Sequence, residues 1–198
     1  MKPRENGVWR ITRDVNSLKR ILESTQKAAE ASNLDRKQSL RIQLLAEELV
    51  EMLPGLLSFT DGEFWVENDG KSFELHTVLS PNESLSLEKR EKLLDVSSSG
   101  KNAAAVGIMA KIKLAAYFML VDYDSNAVLN GSFYMHGMAD SPYFPVQAWS
   151  LNAYRENVGQ EKGNDWDELE KSIVANIADE VLVGIQGKKV EIIVKKAF

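Results

Sequence analysis

Cysteine is absent from this chain of 198 residues, so disulfide frameworks, thiolate zinc sites and cysteine nucleophiles are excluded together. Histidine is nearly as scarce: His76 and His136 stand too far apart to form a paired-histidine zinc motif on one helix. Nowhere do apolar residues run together long enough to predict a membrane-spanning helix. The N-terminal MKPRENGVWR lacks the apolar stretch of a secretory signal. Basic residues do not dominate either. Lys and Arg number 24 against 29 Asp and Glu, leaving a formal charge of −5, whereas a grip on nucleic-acid phosphates needs a basic stripe. These absences predict a soluble cytoplasmic protein with neither nucleic acid nor membrane as partner.

What is present suits an ordinary globular core. Hydrophobic residues make up 44% and charged residues 27%, and the length fits a single domain over 1–198. VWRIT (8–12) reads as a short strand, and Asn16 or Ser17 as the cap of an amphipathic helix over 17–31. A second helix spans 36–53 and ends at Pro54-Gly55. EFWVEN (63–68) and SFELHTVLS (72–80) flank Asp69-Gly70, a turn pair that accepts positive φ, so they predict a hairpin. LEKREKLL (87–94) reads as a short solvated helix, and another helix over 103–119 follows a small-residue loop. A helix over WDELEKSIVANIAD, capped by Asp165, and a hairpin turning near Gln186-Gly187 close the chain.

Residues 122–165 interrupt this regular order with scattered glycines, prolines and aromatics. So many aromatics predict a packed insertion with irregular connections. Trp149 and Tyr154 read as core, because large aromatic side chains supply much of a core's buried area, with an aromatic partner surface as the alternative. His76, inside a predicted strand, reads as a structural histidine. His136 lies near Asp140 and Ser141, but sequence proximity does not make a triad.

The element order, together with LLAEELVEML (44–53), resembles the GHKL superfamily of histidine-kinase-like ATPases, nearest in flavour to the anti-sigma-factor type of serine/threonine kinase. The resemblance covers about 1–120 and 165–198 and leaves 122–165 as a family-atypical insertion. It implies an α+β, two-layer sandwich with a mixed sheet packed on helices, and an ATP and magnesium site between the layers. In the family, a helix carries a glutamate base and, four residues on, an asparagine that holds magnesium. Two frames are available here: Glu48 with Met52, or Glu47 with Glu51. A thioether is a poor partner for a hard cation. At about 100° per residue, Glu47, Glu48 and Glu51 share one stripe opposite Leu45, Leu49, Met52 and Leu53, which favours the Glu47 and Glu51 frame. A plain solvated acidic face is the alternative.

The family's second motif, an Asp-x-Gly-x-Gly that reads adenine, falls on Ser80-Pro81-Asn82. Ser80 replaces the aspartate, Asn82 offers an amide oxygen, and the glycines are missing. The third motif, a phosphate lid, falls on Gly100, Lys101, Asn102 and Gly107, where helix-start amides and one ammonium could meet an anion. GxxxxGK[ST] is absent, and a connector is the alternative reading of this stretch. The resemblance implies a regulatory protein with an eroded ATP site that acts mainly by binding another protein, with a homodimer left open. Its alternative is an active anti-sigma-type kinase, with Glu47 or Glu48 orienting a serine hydroxyl and Lys101 steadying the γ-phosphate.

Overall fold

Two hairpins form the centre of the sheet. β2 (Phe59–Asn68) turns into β3 (Ser72–Pro81), where Gly70 takes φ 93° and Asp69 Oδ1 accepts from the Ser72 amide at 2.9 Å. β6 (Glu180–Gln186) turns into β7 (Lys189–Ala197) through Gly187 at φ 61°, a conformation that costs glycine little. β3 and β7 pair with each other, joining the two hairpins. β1 (Trp9–Ile11) extends the sheet beyond β2, while β5 (Ala148–Ser150) and β4 (Met138–Ala139) extend it beyond β6. The resulting order is β1-β2-β3-β7-β6-β5-β4.

The computed structural model describes residues 7–12, 15–52, 59–81, 108, 111, 112, 115, 116, 119, 137–144, 147–160 and 172–198. Among them the class is α+β, as expected, but the sheet is not mixed. Every described ladder is antiparallel. The tight turns at Gly70 and Gly187 impose that direction on the β2–β3 and β6–β7 ladders, because a parallel neighbour needs a long crossover. Part of 122–165 enters the same sheet, since β4 and β5 both lie there.

Helix boundaries follow local chemistry. α1 (Val15–Ala31) begins slightly before the expected cap, and Ser17 Oγ accepts from the Thr12 amide at 2.9 Å. Asn33, at φ 53°, turns the chain towards α2 (Arg36–Met52). There Asp35 Oδ1 accepts from the Gln38 amide at 2.8 Å and Gln38 Oε1 from the Asp35 amide at 2.9 Å, a reciprocal capping box. α3 (Leu151–Gln160) is capped by Ser150, whose Oγ accepts from the Ala153 amide at 3.2 Å.

The helix expected over 166–179 does not run through Ser172, and 166–171 lie outside the described residues. Ser172 is extended (φ −79°, ψ 126°), and its side chain accepts from the Ala175 amide to start a short helix, α4 (Ile173–Ile177). Serine offers the backbone a bond that competes with an unbroken helix. The Arg155 guanidinium donates to the carbonyls of Ala175 and Ala178, tying α3 to the C-terminal end of α4.

All the described helices pack on one face of the sheet. Ile21 and Ala28 of α1, Ile42, Leu45 and Leu49 of α2, and Leu151, Tyr154 and Val158 of α3 meet Phe64, Val66, Leu75, Val183 and Ile192 of the strands in one apolar cluster. Ile108, Lys111, Ile112, Ala115, Ala116 and Met119 are helical and buried, the three-and-four spacing expected for 103–119. Trp149 and Tyr154 are core residues, as their size predicted.

Candidate functional site

The residues expected to hold a nucleotide are placed only in part. Glu47 and Glu51 are exposed on α2, and Glu48 is half-buried. Burial raises the Glu48 carboxyl above the ordinary carboxylate range, and the charges of Glu51 and then Glu47 raise it further. The three share a stripe opposite the fully buried Leu45 and Leu49. Glu48, not Glu47, is therefore the carboxylate turned furthest into the protein.

Ser80 lies within β3, directly opposite Asp61 of β2. Leu79 beside it belongs to the helix-covered core, so period-two alternation points Ser80 to the other face of the sheet. Ser80 is thus not gathered with the α2 carboxylates. Asn82, Gly100, Lys101, Asn102 and Gly107 lie outside the described residues, as do His136 and the helix expected over 87–94.

That other face carries a group of charged residues that sequence reasoning missed. Its geometry follows from register. Glu67, Glu74 and Lys195 form one row across β2, β3 and β7, and Trp65, His76 and Ile193 form the next. Glu191 stands in the following row, opposite Val78 and diagonal to His76. Glu74, His76 and Glu191 are 7%, 4% and 7% exposed, unusual for groups of this kind. A carboxylate directly opposite another, as Glu67 is to Glu74, repels it unless something positive lies near.

Each polar group there is held in position. The His76 ring stacks on Trp65 with centroids 4.7 Å apart and planes 8° apart. His76 Nδ1 meets Glu191 Oε1 at 3.1 Å. Trp65 Nε1 donates to Glu67 Oε1 at 3.0 Å, and the Tyr143 hydroxyl donates to Glu74 Oε1 at 3.2 Å. Lys195 Nζ lies 4.0 Å from Glu74 Oε1 and 3.7 Å from the Tyr143 ring centroid.

His76 Nε2 differs from these. It is buried without a hydrogen-bond partner, and its nearest acidic oxygen, Glu74 Oε2, is 3.5 Å away, an ion-pair approach too loose for a full hydrogen bond. Burial alone would lower the imidazole pKa. Contacts with Glu191 and Glu74, and the charges of Glu67 and Glu191, outweigh it and raise the pKa above the ordinary histidine value. Ligand atoms of Glu67, Glu74 and His76 all lie within 4.8 Å of one another, so these three residues could hold a metal ion.

An apolar patch adjoins this charged group. Phe144, Ala148, Leu182 and Ile193 cluster with Tyr143 packed against them. Phe144 lies over Gly184, where a Cβ would overlap its ring. The 141–144 segment therefore covers the apolar half of this face and brings the Tyr143 hydroxyl to the charged half.

Part of this cluster was legible. Alternation within the predicted strand 72–80 puts Glu74 and His76 on one face, but the Asp69-Gly70 pair read as a two-residue turn would set Glu67 against Ser72; the pairing of Glu67 with Glu74 and Trp65 with His76 comes from the structure. Glu191 and Lys195 were not legible, because their strand meets β3 across more than a hundred residues of chain. Comparisons of the chain with family models, with curated proteins and with solved structures find no match.

Proposed function

We propose that this chain is a regulatory protein with a histidine-kinase-like ATPase fold, an eroded nucleotide site and a protein as its main partner. The element order supports the fold: a strand, two helices carrying the acidic stripe, a hairpin, a helical segment and a terminal hairpin that pairs back onto β3. One observation carries the erosion. The residue in the adenine-reading position is Ser80, and its strand turns it away from the helix layer where the resemblance puts the nucleotide.

A second reading, an active kinase or ATPase, draws on Glu48. A half-buried carboxyl raised by burial suits a general base better than an ordinary surface glutamate does. Calorimetry of the full chain with ATP and magnesium separates the two. The eroded-site reading expects no binding tighter than about 100 μM, roughly −5.5 kcal/mol. Tighter binding that Glu48→Gln preserves while abolishing phosphoryl transfer would establish the kinase reading instead.

A further inference from the structure

We propose that His76, Glu74 and Glu67 form a binding site for a divalent transition-metal ion, with zinc the best-matched candidate, on the sheet face away from the helices. The proposal is independent of the nucleotide reading. Three observations support it.

The first is the imidazole. Nδ1 is committed to Glu191 at 3.1 Å, while Nε2 is buried and without a hydrogen-bond partner. A carboxylate on one ring nitrogen fixes the tautomer in which the other is a neutral metal ligand, the carboxylate–histidine–metal arrangement. An Nε2 left unsatisfied in the interior is otherwise costly.

The second is the company it keeps. Glu74 and Glu67 bring carboxylate oxygens that lie, with the imidazole nitrogen, within 4.8 Å of one another, close enough to converge on one ion after small side-chain adjustment. Glu74 Oε1 is engaged by Tyr143 and Glu67 Oε1 by Trp65, so both carboxylates are oriented by hydrogen bonds of their own.

The third is charge. Among the described residues Glu67, Glu74 and Glu191 gather three carboxylates around one imidazole, a group that attracts a divalent cation. The same ion removes the repulsion between the directly opposed Glu67 and Glu74. A nitrogen donor with two carboxylates suits zinc better than magnesium or calcium, which prefer all-oxygen shells. Three protein ligands leave a fourth tetrahedral position for water or an added ligand.

The test is calorimetry of the full-length, chelator-stripped chain with zinc chloride at pH 7.5, and with magnesium chloride in parallel. The proposal expects one zinc per chain with a Kd of about 10 μM or tighter, and no comparable magnesium binding. His76→Ala should abolish the binding, Glu191→Gln should weaken it about 10–100-fold, and His136→Ala should leave it intact. If His76→Ala fails to fold, Glu67→Gln decides. Its amide oxygen can still accept from Trp65, and it should weaken zinc at least about tenfold. No stoichiometric binding at about 100 μM zinc, undiminished binding in Glu67→Gln, or binding lost in His136→Ala would each overturn the site.

Discussion

The two faces of the sheet solve the burial problem differently. On the helix-covered face nearly every inward residue is apolar, from Phe64 and Leu75 in the strands to Ile42 and Leu49 in α2. A polar group there is an exception, as with Lys111, whose ammonium donates to the Tyr154 hydroxyl and lies 5.0 Å from its ring. On the opposite face Phe144, Ala148, Leu182 and Ile193 form an apolar cluster, and beside it Glu74, His76 and Glu191 are buried. Burying such groups costs stability unless each finds a partner. The first face excludes water, while the second is shaped to hold a charged group.

Breaking the helix-side face should have the largest effect. Trp149 is fully buried there, and Trp149→Ala should destabilise by about 3–5 kcal/mol, read as a lower denaturant midpoint with little change in slope. A loss below about 1 kcal/mol would mean that this face is not the source of stability.

Gly184→Val tests the boundary between the two halves of the opposite face. A Cβ there overlaps the Phe144 ring, so the 141–144 segment must shift. The expected cost is about 1–3 kcal/mol in the same denaturation measurement. The Tyr143 hydroxyl should leave Glu74 with it, a movement that tyrosine fluorescence or an NMR shift can follow.

Replacing His76 and Glu191 together by leucine should change stability by no more than about 1 kcal/mol, because exchanging a whole buried ion pair for apolar side chains is often neutral. Glu74 keeps Tyr143 and Lys195 as partners in that variant. A large loss would show that the pair carries stability, not only a binding function.

The smallest effect should come from Glu48→Gln. Its folded carboxyl is raised above the unfolded value, so its stability contribution is fully present below the unfolded pKa and declines as pH rises through the folded one. Removing the charge should flatten the denaturant midpoint across mildly acidic pH and leave pH 7 unchanged or slightly stabilised. A loss of stability at pH 7 would reverse that sign.

How much of this was legible depends on the range of the interaction. The capping box at Asp35 and Gln38, the Gly70 turn and the buried stripe of α2 are local, and the residue types alone point to them. The all-antiparallel sheet was missed because the pairing of β3 with β7 and the entry of β4 and β5 into the sheet are long-range. The extended Ser172 was hidden inside a run with good helical spacing, where one side-chain hydrogen bond caps the helix that follows. The charged cluster was half visible. Alternation puts Glu74 and His76 on one face of one strand, but the carboxylate that fixes the imidazole comes from the far end of the chain.

The most direct measurement of the central claim, that the face away from the helices is built to hold a cation, is anomalous diffraction at the zinc edge from crystals of the zinc-loaded chain. A single peak bonded to His76 Nε2 and to carboxylate oxygens of Glu74 and Glu67, with Glu191 on Nδ1, is the predicted result. A peak at His136 or elsewhere, or none with His76 still lying between Glu74 and Glu191, would contradict it.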